Sequence, residues 1–115
     1  MMKTYTGKRL EPLRCVVYVI EPGKRRRPLR LRLDLFNHSP TGFEWGYGGS
    51  GPAQLALALL ADVLGDDYLA VRLHQRFKFR VVGRLPRHED WTLDEETIRA
   101  TVAEFQAQPM GWISD

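Results

Sequence analysis

Cysteine is almost absent from this sequence of 115 residues: Cys15 is the only one. An intrachain disulfide is therefore impossible, and a cysteine-based zinc site would have to take nearly all its ligands from histidine and carboxylates. Free thiol chemistry of this kind fits a reducing compartment, so a cytoplasmic protein is expected. Long apolar runs are also lacking. The longest, Leu55 to Ala61, falls far short of the ~20 residues that cross a bilayer. Met1 to Pro12 carry Lys3, Lys8 and Arg9 without the apolar stretch of a secretory signal. No membrane partner is expected, and the sequon-like Asn37-His38-Ser39 carries little meaning without an export signal. There is no G-K-[ST] phosphate loop, no nucleophile elbow, no H-E-x-x-H and no C-x-x-C. No cofactor, no metal and no enzymatic activity are expected from such a chain.

Charge, by contrast, is plentiful and unevenly distributed. Seventeen Lys and Arg against 14 Asp and Glu give a formal net charge of only +3. Residues 1–36 nevertheless hold ten basic and three acidic residues, Tyr68 to His88 hold six cations and no acid, and residues 89–115 hold seven acids against Arg99 alone. The small total hides blocks of opposite sign.

The hydrophobic pattern predicts strands first and helices after them. Leu13 to Ile20 is a β-branched apolar run, and Glu21-Pro22-Gly23-Lys24 supplies Pro and Gly for a type II turn. Leu29, Leu31, Leu33 and Leu35 then alternate with Arg30, Arg32 and Asp34, which predicts a half-buried strand completing a hairpin. Short edge strands are expected near Tyr5 and at Phe43-Glu44-Trp45. From Pro52 to Leu64 only Gln54 and Asp62 are polar, so this helix should be covered nearly all round, with one narrow wet stripe. Gly65 suits its C-terminal cap, and Asp66 or Asp67 caps a second helix running to Leu85, with Leu69, Ala70, Leu73, Phe77, Val81 and Leu85 as its core stripe. Thr92-Leu93-Asp94-Glu95 reads as a capping box for a third helix with an Ile98, Val102 and Phe105 face, stopped by Pro109. The apolar Met110, Trp112 and Ile113 follow in the tail. The expected fold is one α+β domain over 1–115, mainly β over 1–45 and mainly α over 52–107, with a tail over 108–115: a small antiparallel sheet packed on about three helices.

The least ordinary segment is Gly46-Tyr47-Gly48-Gly49-Ser50-Gly51-Pro52, which matches G-x-G-x-x-G between a possible strand and a helix. In that setting a loop can cradle phosphate with backbone amides. A dinucleotide site, however, needs a βαβ unit, and the segment after this helix reads as another helix. Glycines that let a buried helix approach the sheet are the simpler reading. The stretch from Asn37-His38-Ser39-Pro40-Thr41-Gly42-Phe43-Glu44-Trp45 through this loop to Ala53-Gln54-Leu55-Ala56 resembles the signature of an uncharacterised family of small bacterial, plasmid and phage proteins, a domain of unknown function. The resemblance continues through Leu73-His74-Gln75-Arg76-Phe77-Lys78, Leu85-Pro86 and Trp91-Thr92-Leu93. It implies no catalytic residue or cofactor. It does imply a mobile-element protein acting on another macromolecule, a class that includes inhibitors of host defence systems, in bacterial or host cytoplasm.

Two basic features offer themselves to an anionic partner. Lys24, Arg25, Arg26 and Arg27 form a hairpin tip that extends into Arg30 and Arg32, and such a cluster can grip phosphates or merely keep an edge soluble. Arg72, Arg76, Arg80 and Arg84 are spaced by four, which makes one ridge on the second helix. The acidic third helix with Asp94, Glu95, Glu96 and Glu104 covers that ridge, a nucleic acid or acidic protein does, or water simply solvates it. The best catalytic set, His38 with Ser39, Glu44 and Ser50, is thin, and His38 is expected as a turn residue bonded to backbone. The leading expectation is a non-enzymatic protein-interaction module that binds another protein, or an anion, through Trp45, Gly46, Tyr47, Gly48, Gly49, Ser50, Gly51 and His38, aided by the tail around Trp112. Nucleic-acid binding through the two basic features is the alternative, and a small nucleotide binder or enzyme at Gly46 to Gly51 is a third.

Overall fold

The computed structural model describes residues 2–11 and 14–108. Four antiparallel strands form one sheet in the order β3-β2-β1-β4, with β1 at Thr4–Glu11, β2 at Arg14–Ile20, β3 at Arg27–Pro28 and β4 at Trp91–Asp94. Three helices accompany it: α1 at Ser50–Leu64, α2 at Asp67–Arg80 and α3 at Glu95–Ala107. The α+β class expected from the sequence is thus the observed one. Several elements differ from expectation, and each for a physical reason.

The segment at Tyr5 is no edge strand. It is the eight-residue β1, paired with β2 from Thr4 opposite Ile20 to Glu11 opposite Arg14, and with β4 on its other side from Thr4 opposite Asp94 to Gly7 opposite Trp91. Tyr5, Val17, Val19 and Trp91 fall on one side of the sheet and are buried with the leucines of α1 in a single cluster. The hairpin turn forms as predicted, with Lys24 N–H donating to Glu21 O at 3.1 Å and Gly23 at φ +76. The alternating strand from Leu29 to Leu35 does not form, and neither does a strand at Phe43-Glu44-Trp45: residues 29–49 contain no strand or helix. Leu29 still bonds β2 through Val17 O at 2.8 Å, but Arg32 takes φ +58, and the chain turns there with Leu35 N–H on Arg32 O.

Gln54, expected on a wet stripe of α1, is fully buried and holds part of this segment. Its Nε2 donates to Leu31 O at 2.6 Å and Phe36 O at 3.0 Å, while its Oε1 accepts from His38 N at 2.8 Å and Ser39 N at 3.0 Å. One side chain thus serves four backbone groups, one of them within the expected strand. Asp62, the other polar residue of the stripe, is also largely covered: Tyr5 donates to it at 2.6 Å, Arg27 at 3.0 Å and Lys3 at 3.3 Å. Burial alone would raise the Asp62 pKa, but the Tyr5 and Arg27 hydrogen bonds outweigh it and hold the carboxyl below its ordinary range.

The helix boundaries follow from capping. Gly65 closes α1 in the left-handed conformation, and the Asp66 side chain accepts from Leu69 N at the start of α2, both as predicted. α2 stops at Arg80 instead of Leu85. A short 3-10 turn at Val82–Arg84 follows, fixed by Gly46 N–H donating to Val82 O at 3.1 Å. The capping box is displaced as well. Asp94, not Thr92, accepts from Thr97 N at 2.7 Å, because Trp91, Thr92 and Leu93 are occupied as β4 against β1. A strand therefore returns after the second helix, which the strands-then-helices reading excluded. Ile98, Val102 and Phe105 face the core as expected. Pro109, Met110, Trp112 and Ile113 lie outside the described residues.

Candidate functional site

The chain from Phe36 to Gly49, leading into α1, is a loop held at many points. Beyond the Gln54 clamp, the Ser39 hydroxyl donates to Gly42 O at 2.7 Å and the Cys15 thiol to Phe43 O at 2.8 Å. Glu44 takes a two-pronged bond from Arg9, at 3.1 and 2.7 Å. That hydrogen bond from Arg9 is the main reason the Glu44 carboxyl sits below its ordinary pKa. Trp45 is fully buried, its indole N–H on Glu89 O at 3.1 Å and its ring edge-on to Trp91 at 5.5 Å. It anchors the loop from within and presents no surface to a partner. Gly46 adopts φ +87 at a place where a Cβ would lie 2.5 Å from Arg87 Cα, and at Gly51 a Cβ would come within 2.6 Å of Glu44 Cβ. These two glycines are required by backbone approach. Tyr47 lies beneath the Arg87 guanidinium, 4.5 Å from its ring centre.

What the loop leaves outside is an aromatic surface. Phe36 is 49% exposed and stacks on His38 with ring centres 4.2 Å apart. His38 meets His74 of α2 through their Nε2 atoms at 2.9 Å, and His74 Nδ1 lies 2.6 Å from Val71 O. With His74 donating from Nδ1, its Nε2 accepts from His38. Burial first, and the nearby Lys78 charge after it, hold the His38 pKa below the ordinary histidine value; burial likewise dominates at His74. One turn further along α2, Lys78 Nζ donates to Gly48 O at 3.3 Å, and Phe79, 64% exposed, packs beside Gly48. Gly48 and Ser50 are exposed, and Gly49 caps α1 without a side-chain bond.

The histidine pair also decides the catalytic candidates. His38 spends its Nε2 on His74 and does not meet Ser39, Glu44 or Ser50, and Ser39 spends its hydroxyl proton on Gly42 O. Burial pushes the Cys15 thiol up to about 11, so it is neutral near pH 7.

Most of the basic residues have partners inside the fold. At the hairpin, Lys24 pairs with Glu21 at 3.4 Å, Arg26 lies 4.0 Å over Tyr18, Arg27 pairs with Asp62, and Arg32 bridges Asp34 and Asp67 at 3.1 and 2.9 Å. Arg25 is exposed at the tip, and Arg30 lines a cleft of about 370 Å³ with Arg27, Arg32 and Asp62. The second-helix ridge is shorter than its spacing suggested, because Arg84 has left the helix for the 3-10 turn. Arg80 pairs with Glu104 of α3, Arg76 bonds Gln108 and lies 4.3 Å over Phe105, and Arg72 stays on the exposed side of α2. The acidic third helix thus meets the ridge at Arg80, while Asp94 is spent on its cap and Glu95 on Arg99 and the Lys3 backbone.

Phe36, Lys78 and Phe79 were not singled out by the sequence. Phe79 carried a signal all the same: it is a large aromatic off the Ala70, Leu73 and Phe77 stripe, at a position that points to solvent.

These elements define an α+β protein in which a long glycine-bearing loop is bonded into the space between a four-stranded antiparallel sheet and its central helix. The chain belongs to the family of unknown function DUF6166, whose family model matches residues 5–104, from β1 into α3. Searches among curated proteins and among solved structures found no match.

Proposed function

We propose that the protein is a non-catalytic protein-binding module whose contact surface is the loop face bounded by Phe36 and Phe79, with His38, Tyr47, Gly48 and Ser50 between and beside them. The observation that carries this reading is that two large aromatics are exposed, Phe36 stacked on His38 and Phe79 beside the exposed backbone at Gly48. Exposed large aromatics are what binding hot spots are made of. The loop beneath is tied to α1, α2 and the sheet, so the surface is ready-formed and little ordering opposes association. Nucleic-acid binding is less well supported, because most cations of the hairpin, and Arg80 of the ridge, already face carboxylates or aromatic rings. Those partners would have to be displaced before phosphates could be gripped.

The test is affinity capture from the host cell with wild type and with the Phe36→Ala/Phe79→Ala double variant, followed by binding measurements with the purified captured protein. The double variant is expected to keep its fold, since both side chains are about half or more exposed, and to lose at least ten-fold in affinity. Equal affinity of the two proteins would remove this surface from the interface. Retention of nucleic acid at physiological salt in place of a protein would overturn the reading altogether.

A further inference from the structure

Lys78 is only 7% exposed, yet among the described residues no carboxylate pairs with it. Its Nζ donates to Gly48 O at 3.3 Å and lies 4.3 Å from the Phe79 ring centre. An ammonium carries three donors and a full charge, and a carbonyl and a ring face answer only part of either. Covering a cation without a counter-charge is among the costliest arrangements in a protein. Elsewhere the chain avoids it: Lys3, Arg9, Arg27 and Arg32, all more exposed than Lys78, each meet a carboxylate. The neighbours of Lys78 make its isolation sharper. His38 from the loop and His74 from α2 are neutral or positive, never negative. Gly48 directly precedes Gly49, the N-cap of α1, a fifteen-residue helix with no side-chain cap and no acid in its first turn. Its positive dipole end has the same sign as the lysine. The one carboxylate near the start of α1, Glu44 beside Gly51, is already paired with Arg9.

We propose that Lys78 receives an aspartate or glutamate side chain of the partner protein, seated beside the Gly48 backbone between Phe36 and Phe79. The proposal rests on the reading of this face as a protein-binding surface and specifies the chemistry of what binds there. A single ammonium offers its charge to one carboxylate. A nucleic-acid strand instead asks for a track of exposed cations along its backbone.

The probe is a capped peptide of alternating Glu and Leu, compared with its Gln and Leu counterpart, with sodium chloride matching ionic strength throughout. Binding is followed by NMR at the Lys78 methylene next to Nζ and at the ring C–H signals of His38 and His74. The Glu peptide is expected to shift these signals saturably, with at least ten-fold tighter affinity than the Gln peptide. Lys78→Met should abolish that preference and raise Tm by a few degrees, since the aliphatic stem is kept and an unanswered charge removed. Lys78→Gln repeats the binding measurement should the Met variant fold poorly. Equal affinity for the two peptides, a Glu preference surviving in both variants, or a single-stranded oligonucleotide binding more tightly at the same signals would each overturn the proposal. The Phe36→Ala/Phe79→Ala variant separates the two claims. A Glu preference that persists at full affinity without the phenylalanines sinks the aromatic surface alone, whereas phenylalanine-dependent binding without Glu preference sinks the Lys78 receptor alone.

Discussion

Gln54 is the residue on which the loop depends most. Four backbone groups between Leu31 and Ser39 have it as partner, and each buried group left unpaired costs roughly 1–3 kcal/mol. Gln54→Leu is therefore expected to lower unfolding stability by about 3 kcal/mol or more, read as a fall in the urea midpoint with α-helical content retained in the folded state. Gly46→Ala should be comparably damaging, because φ +87 and the approach to Arg87 penalise a side chain together. The histidine pair adds a pH dependence whose sign is fixed. Burial lowers both folded-state pKa values below the unfolded value of about 6.5. The unfolded chain then binds protons first as pH falls, so the contribution is fully present above about 6.5 and is lost below it. Carboxylates held low, Glu44 and Asp62 among them, lose their share only below about 4.5. Urea titrations between pH 7.5 and 5.0 should show the first loss in wild type and a much smaller one in His74→Gln; identical slopes would remove the pair as its origin.

At the scale of elements, legibility followed the reach of the determining contact. α1, its Gly65 cap, the Asp66 cap of α2 and the Ile98, Val102 and Phe105 face were readable because each depends on residues a few positions apart. The Leu29 to Leu35 pattern is as regular as a strand can be, yet the chain turns at Arg32, and Leu31 O is taken by a glutamine more than twenty residues away. β4 was hidden for the same reason: Thr92-Leu93-Asp94-Glu95 satisfies a capping rule locally, while its strand partner is β1 at the other end of the chain. The displaced cap can be checked directly. Asp94→Ala should cost about 1 kcal/mol through loss of the Thr97 bond, and Thr92→Ala, an exposed strand position, less than half as much. The candidate site was legible in part. The glycine loop and His38 stood out, but the aromatics that give the loop an outward face, and the lysine beneath it, come from residues whose roles depend on how α2 is rotated in the fold.

Across the whole molecule, the charge blocks of the sequence turn out to be largely mutual. Basic residues of the first third reach acids on α1 and α2, through Arg27 to Asp62 and Arg32 to Asp67, and α3 answers Arg80. Such half-exposed pairs each contribute little, and salt screens them further. Raising salt from 0.05 to 1 M is accordingly expected to move Tm by only a few degrees, whereas a fold held mainly by its ion pairs would lose far more.

The pairing of β1 with β4 also sets an order of events at the ribosome. Tyr5 and Gly7 must wait for Leu93 and Trp91, and the Lys3 backbone waits for Glu95, whose N–H it accepts at 2.9 Å. Closing so long a loop is entropically slow and becomes possible only when nearly the whole described chain has emerged. Until then the inner side of the β1 and β2 hairpin and the leucines of α1 lack their last cover. The nascent chain thus has a long interval in which apolar surface is open to chaperones, and the sheet cannot be completed before β4 has emerged.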